Sequence, residues 1–178
     1  MDKVLQLLMD RIVTPLGELF VVADADGNLR LTMWADSEAR LRPALELQYD
    51  KNGFALDPGH NGSGLTEALE RYFAGDLAAI DTLPVKTAGT PFQREVWHAL
   101  REIPCGTTVS YAALARRIGR PNAVRAVGLA NGSNPVGIVV PCHRVIGSDG
   151  SLTGYGGGIE RKRWLLRHEK ALASDLGF

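Results

Sequence analysis

The chain has 178 residues, enough for one domain or two small ones with a real core, and its 45% hydrophobic and 22% charged content is that of an ordinary globular protein. Asp10 and Arg11 follow soon after Leu5, Leu7 and Leu8, so the N-terminus fits neither a signal peptide nor a membrane span, and two cysteines are too few for a disulfide framework. The formal net charge of zero conceals an asymmetry: residues 1–90 hold 8 Lys+Arg against 14 Asp+Glu, whereas residues 91–178 hold 12 against 6.

Residues 4–13, 17–24 and 29–35 are short runs rich in Leu, Val, Phe, Met and Trp, separated by turn signals at Thr14-Pro15-Leu16-Gly17 and Asp24-Ala25-Asp26-Gly27-Asn28. This spacing predicts an antiparallel meander. Residues 37–48 predict a helix with Leu41, Ala44, Leu45 and Gln48 along one stripe. A turn-rich connector, Asp57 to Gly64, leads to a second amphipathic helix over Leu65–Ala74, which Gly75 ends. No catalytic constellation occurs in this half, so residues 1–86 read as a support domain and 87–178 as the working domain.

The second half opens on a clear helix start. Thr90 can cap, Pro91 suits the first helical position, Gln93 completes a capping box, and Phe92, Val96, Leu100 and Ile103 line one face. Ser110 caps a helix over Tyr111–Ile118, and Gly119-Arg120-Pro121 turns into a third helix over Asn122–Ala130. Two short helices joined through a glycine turn match a helix-turn-helix. Ala123, Ala126, Gly128 and Ala130 are small enough to let backbone approach a nucleic-acid groove, even the narrow minor groove. Arg125 is the one long cation among them, read either as a surface ion-pair partner or as a side chain inserted into a duplex. Clustered arginines at 116, 117, 120 and 125, and again at 161, 163 and 167, suit a phosphate backbone or, equally, a solvated face.

The stretch Val136-Gly137-Ile138-Val139-Val140 is short, apolar and β-branched, so it predicts a buried strand that Pro141 ends. Cys142 and His143 follow at the strand end. A thiol with its ordinary pKa near ~8.5 needs a base or a positive neighbour to act as a nucleophile, and His143 is the candidate base. Successive side chains on a strand point apart, so either the backbone bends or a water bridges sulfur and imidazole. The pair also reads as an inert buried thiol beside a surface imidazole. Downstream, Gly147–Gly158 is glycine-rich around Tyr155, which suits a flat ligand; the spacing of a phosphate-binding loop is missing. A final helix, about Ile159–Ala173, puts Trp164 and Leu165 in the core and carries Lys162 and Glu169. Glu169 is a candidate to orient His143 in a thiol, imidazole and carboxylate relay. Histidines and cysteines show no metal-ligand spacing.

Pro141-Cys142-His143-Arg144-Val145 resembles the signature of the O6-alkylguanine-DNA alkyltransferases, the methylated-DNA–protein-cysteine methyltransferase family. The likeness extends in order and spacing through Thr90-Pro91-Phe92-Gln93, Ser110-Tyr111, Arg125-Ala126-Val127-Gly128, Asn134-Pro135, Tyr155-Gly156-Gly157 and Trp164 to Glu169. The overall pattern is similar to the constitutive bacterial form. The resemblance implies an α+β protein: an N-terminal α/β domain with a small antiparallel, ribonuclease H-like sheet, and a mostly helical C-terminal domain holding the helix-turn-helix and a buried active-site strand.

The same resemblance implies a methylated-DNA–protein-cysteine S-methyltransferase acting once per molecule, in which Cys142 accepts the alkyl group from O6-alkylguanine, with O4-alkylthymine as a second candidate substrate. His143, through a water and polarised by Glu169, would draw off the thiol proton. Tyr111 would donate towards guanine N3 and touch the DNA, Arg125 would fill the gap left by a flipped nucleotide, and Ala123, Ala126 and Gly128 would line the DNA-binding helix. Asn134, Val145, Tyr155, Gly156 and Lys162 would shape the guanine pocket, roomy because Gly137 and Gly156 place no side chain near the alkyl group. No cofactor and no metal are implied, and residues 1–90 lack the cysteines with which some relatives bind zinc. The expected partner is double-stranded DNA with little sequence specificity, bound by a cytoplasmic monomer that can cluster on DNA. Two other classes fit fewer residues. A helix-turn-helix regulator with a redox-sensing thiol has no use for Tyr155 or Glu169, and a thiol hydrolase needs an oxyanion hole that the sequence does not place.

Overall fold

The computed structural model describes residues 3–172. Strand β1 (Leu5–Thr14) turns at Pro15-Leu16 into β2 (Gly17–Asp24), pairing antiparallel from Leu7↔Asp24 to Thr14↔Gly17. The turn is tied by the Thr14 hydroxyl, which donates to the Gly17 carbonyl (2.6 Å) and accepts from the Leu16 amide (3.0 Å). Strand β3 (Leu29–Trp34) completes the expected meander, with a bulge at Val22/Ala23. Asp24 organises the tight β2–β3 turn: its carboxylate accepts from the Asn28 amide (2.9 Å) and from Arg30 Nε (2.7 Å), a buried pair that leaves neither charge alone.

Two features of this half differ from the sequence expectation. The sheet is mixed, not antiparallel throughout, because β4 (Phe54–Pro58) lies parallel to β1 from Leu5↔Phe54 to Met9↔Pro58, giving the order β3-β2-β1-β4. Part of the supposed connector is therefore an edge strand. Pro58 closes it, as suits a residue without an amide donor. The helix expected over 37–48 is a 3₁₀ segment (Ala35–Arg40) followed by α1 (Leu41–Tyr49), so that Pro43 falls in the first turn, where its missing amide costs nothing. α1 buries Leu41 and Leu45 against Leu7, Phe20, Val22, Leu31 and Phe54. Val21 and Ala23 alternate to the other face of the sheet and line a small cavity with Leu65 and Thr66 of α2 (Leu65–Phe73).

Contacts divide the chain into Met1–Gly89 and Thr90–Phe178. The second unit begins with α3 (Pro91–Arg101), whose capping box is complete: the Thr90 hydroxyl accepts from the Gln93 amide (3.1 Å) and Gln93 Oε1 accepts from the Thr90 amide (2.9 Å). β5 (Val109–Ser110) leads into α4 (Tyr111–Arg117), capped by the Ser110 hydroxyl. Gly119, at φ 72°, turns the chain towards α5 (Val124–Gly132). α5 starts and ends two residues later than expected, which brings Asn131 into the helix. Trp97 Nε1 donates to the Ala130 carbonyl (2.8 Å), fixing α5 on α3.

The run before Cys142 is buried as expected but is not a strand. Val139 donates to the Gly137 carbonyl (2.9 Å), Val140 to that of Val136 (2.9 Å), and Cys142 to that of Val140 (2.8 Å), so the backbone coils on itself, with Ile138 at φ 74°. Pro135, Gly137 and Pro141 break any ladder, and the apolar side chains are buried by turns instead. The strand comes after the thiol. Cys142–Arg144 form a 3₁₀ turn, and β6 (Val145–Ile146) pairs parallel with β5. α6 (Ile159–His168) ends at Glu169, and Ala173, the expected end of this helix, lies outside the described residues. Leu165 is in the core, whereas Trp164 is half-buried and stacks on His168 at 4.6 Å. No helix among the described residues is long and apolar enough to cross a membrane. Mixed strands and helices with a small sheet make the fold α+β.

Candidate active site

Cys142 is 8% exposed, on a tight turn held by two asparagines from the end of α5. Asn134 Nδ2 donates to the Val140 carbonyl (2.7 Å) while its Oδ1 accepts from the Val136 amide (3.0 Å), and Asn131 Nδ2 reaches the Cys142 carbonyl at 3.5 Å. The helix that carries Arg125 is thus bonded to the turn that carries the thiol. Burial pushes the Cys142 thiol pKa up, and the Asn134 side chain and the Lys162 charge pull against it.

His143 is fully buried, and its Nε2 donates to Glu169 Oε1 at 3.0 Å. Glu169 is buried too. Arg144 grips it in a fork, Nε on Oε2 (2.9 Å) and Nη2 on Oε1 (2.8 Å), while Nη1 donates to the Ile103 carbonyl (2.7 Å). Burial alone would raise the Glu169 pKa; hydrogen bonds and charge from Arg144 and His143 outweigh it and hold the carboxyl well below its ordinary range. Burial holds the His143 pKa below its usual value despite the carboxylate, so the imidazole is neutral at pH 7. With its proton on Nε2, the ring presents Nδ1 as a lone-pair acceptor, and Nδ1 has no hydrogen-bond partner among the described residues. An imidazole so oriented can take a proton, directly or through water.

Lys162 is buried completely. Its Nζ donates to the Val145 carbonyl (2.6 Å) and the Thr153 carbonyl (2.9 Å), pinning β6 to the far end of the 147–153 loop, and burial lowers its pKa to about 8 while the nearby Cys142 opposes the shift. The Thr153 carbonyl also accepts from the Tyr111 hydroxyl at 3.1 Å, and burial raises the Tyr111 pKa. The Tyr111 ring faces Gly128 of α5, where an added Cβ would sit 3.8 Å from it. Tyr155 is half-buried, and at Gly156 an added Cβ would meet nothing within 4 Å, so space is open there.

Most of the expected site residues fall into two groups. Cys142, His143, Glu169, Tyr111, Asn134, Val145 and Lys162 are linked by bonds around one turn, whereas Ala123 stands at the N-cap of α5 and Arg125, Ala126 and Gly128 lie on it, with Arg125 and Ala126 exposed; Tyr155 and Gly156 belong to the loop before α6. Arg125 makes no hydrogen bond or ion pair among the described residues, unlike Arg120, which pairs with Glu95 at 3.1 Å. Sequence reasoning missed Arg144 and Asn131. Their only signals were adjacency to His143 and an Asn beside the helix end. Among the described residues no group of three or more His, Cys, Asp or Glu is arranged to hold a metal ion.

The chain is similar to known proteins over both of its units. Residues 91–171 match the family model described as 6-O-methylguanine DNA methyltransferase, DNA binding domain. The methylated-DNA–protein-cysteine methyltransferase of Shigella flexneri is 54% identical over 93% of this chain and 96% of its own length, and that of Salmonella typhimurium 55% over the same shares. A crystal structure of Mycobacterium tuberculosis OGT in complex with DNA superposes with a TM-score of 0.74 at 43% identity, covering 93% of each chain. The O6-methylguanine-DNA methyltransferase of Pyrococcus kodakaraensis gives 0.70 at 27% identity, over 92% of this chain and 98% of that one. With both units matched by these relatives, and a thiol, imidazole and carboxylate in sequence and in space, the chain belongs to the methylated-DNA–protein-cysteine methyltransferase family.

Proposed function

We propose that this chain repairs DNA by moving the alkyl group of O6-alkylguanine onto its own Cys142, once per molecule. The observation that carries the reading is the buried His143–Glu169 pair at 3.0 Å, with Nδ1 left open one residue from a buried thiol. His143 Nδ1 accepts the Cys142 proton through a water. The thiolate attacks the carbon bonded to guanine O6, the C–O bond breaks, and its electron pair returns to the base, which takes a proton at N3 from Tyr111. The product is a thioether, which has no general route back to a thiol. The lesion supplies the alkyl group, so the reaction draws on no cofactor. O4-alkylthymine presents the same kind of exocyclic alkyl group and is the second substrate candidate.

The partner is duplex DNA, engaged through α4 and α5 with the small face of α5, Ala123, Ala126 and Gly128, in the minor groove. Because a stacked base cannot reach a buried thiol, the target nucleotide is flipped, with Arg125 in the space it leaves. Lys162 and Asn134 hold the pocket wall formed by Val145 and the 153–156 loop, and Tyr155 stacks on the base. Residues 87–178 carry this work and residues 1–86 support it. The protein acts as a monomer in the reducing cytoplasm, clustering only where DNA gathers it. Digestion of the treated duplex and chromatography of its nucleosides tests this reading. Restored guanine should plateau at one equivalent of added protein, and continued repair beyond that would rule out the stoichiometric reaction.

A further inference from the structure

Leu129 is 72% exposed, and it is the one large hydrophobic side chain so exposed in the described residues of the Thr90–Phe178 unit. It stands on α5 four residues after Arg125, so the two share a helix face, while Val127 and Ala130 turn inward and are buried. Around it the surface is small or cationic: Ala126 and Gly132 are exposed on the same helix, and Arg116 and Arg117 are exposed at the end of α4. A leucine there projects past its flat neighbours.

Resting on the DNA reading above, we propose that Leu129 is an apolar wedge that enters the minor groove one helical turn from Arg125. The charge of Arg116, Arg117 and Arg125 points to a polyanion as the occupant, and the deoxyribose walls of the groove and the faces between base steps are the apolar surface that a duplex offers a leucine. The two side chains then divide the interaction. Arg125 contributes by displacing counterions, which salt opposes. Leu129 contributes by removing apolar surface from water, which salt leaves nearly untouched.

Binding of duplex DNA by Leu129→Ala, Leu129→Met and Arg125→Ala, measured by fluorescence anisotropy between 50 and about 300 mM salt, separates the two terms. Leu129→Ala should weaken binding about tenfold at every salt concentration with the slope of log Kd against log salt unchanged, and Leu129→Met should bind as the parent does. Arg125→Ala should lower that slope by about 1. Equal unfolding temperatures for all three proteins keep a folding defect out of the comparison. Parent-like binding by Leu129→Ala would overturn the proposal, as would a weakening that changes with salt. So would DNA-free self-association, seen by sedimentation, that Leu129→Ala abolishes, since the leucine would then serve a second copy of the chain. Failure of the repair reading would look different: the parent itself would neither bind duplex nor gain an alkyl group.

Discussion

At the residue scale the site turns on one carboxylate with three donors. Glu169 takes a fork from Arg144 and a single bond from His143, and each donor has a reason to be there. Arg144 keeps the carboxyl ionised, and the ionised carboxyl keeps the His143 proton on Nε2. Glu169→Gln retains the shape but strands a buried guanidinium. It should destabilise folding by about 3–5 kcal/mol, and slow alkyl transfer about 10²–10⁴-fold, read by urea unfolding and single-turnover kinetics. The stability loss should depend on pH. Folding lowers the Glu169 pKa, so its ionised carboxyl favours the folded state fully above its ordinary value of 4.5, and that contribution is lost as pH falls from there through the lowered folded value. The gap in stability between parent and Glu169→Gln should therefore hold from pH 8 to about pH 5 and narrow only as pH falls below the ordinary Glu169 value of 4.5. A gap that stayed constant would mean that the carboxylate does not titrate as this network requires.

Much of this site is legible in residue types alone. Cys142 beside His143, with a carboxylate one helix later, is a pattern that chemistry makes meaningful. The burial of Glu169 and Lys162 is not legible, since both sit among arginines on a helix that reads as amphipathic. Arg144 is hidden for a related reason: a charged residue in a basic half gives no sign that it is buried against a partner 25 residues away.

At the scale of elements, local rules predict what local interactions build. The two-residue turn at Pro15-Leu16, the Thr90 capping box and the Ser110 cap are all short-range, and each appears as its residues specify. Thr90→Ala should cost about 1 kcal/mol in unfolding free energy, and a value near zero would show that the capping box is incidental to α3. Pairings between distant segments are what the sequence hides. β4 lies parallel to β1 across some 40 residues, and β5 and β6 are two-residue strands whose only mark is each other. The run at 136–140 fails for a different reason. A β-branched apolar stretch signals burial but not extension, and Pro135, Gly137 and Pro141 leave too little chain for a ladder.

One element joint links fold to chemistry. Gly106 has φ 82°, and a Cβ there would stand 3.1 Å from the Glu169 carbonyl, so the turn after Ile103 abuts the end of α6. Gly106→Ala should cost about 1–3 kcal/mol through backbone strain and, by shifting Glu169, slow transfer as well. Loss of stability with an unchanged transfer rate would show that the turn supports the fold without aligning the carboxylate.

At the scale of the whole molecule the charge is divided as the contacts are: an acidic first half and a basic second half, with the unit boundary between Gly89 and Thr90. A basic unit with a small-residue helix offers few side chains to read base edges, so affinity for DNA should come mainly from phosphate contacts. Raising salt from 50 to 200 mM should weaken binding to unrelated duplex sequences alike. A preference among sequences that survives at high salt would contradict that picture.

Whether Cys142 receives the alkyl group is decided by intact-protein and peptide mass spectrometry after incubation with duplex carrying O6-methylguanine. A single methyl should appear on the peptide containing Cys142 and none on the Cys142→Ala protein. An unchanged mass on a protein that binds the damaged duplex, or a methyl on any other residue, would contradict transfer to Cys142.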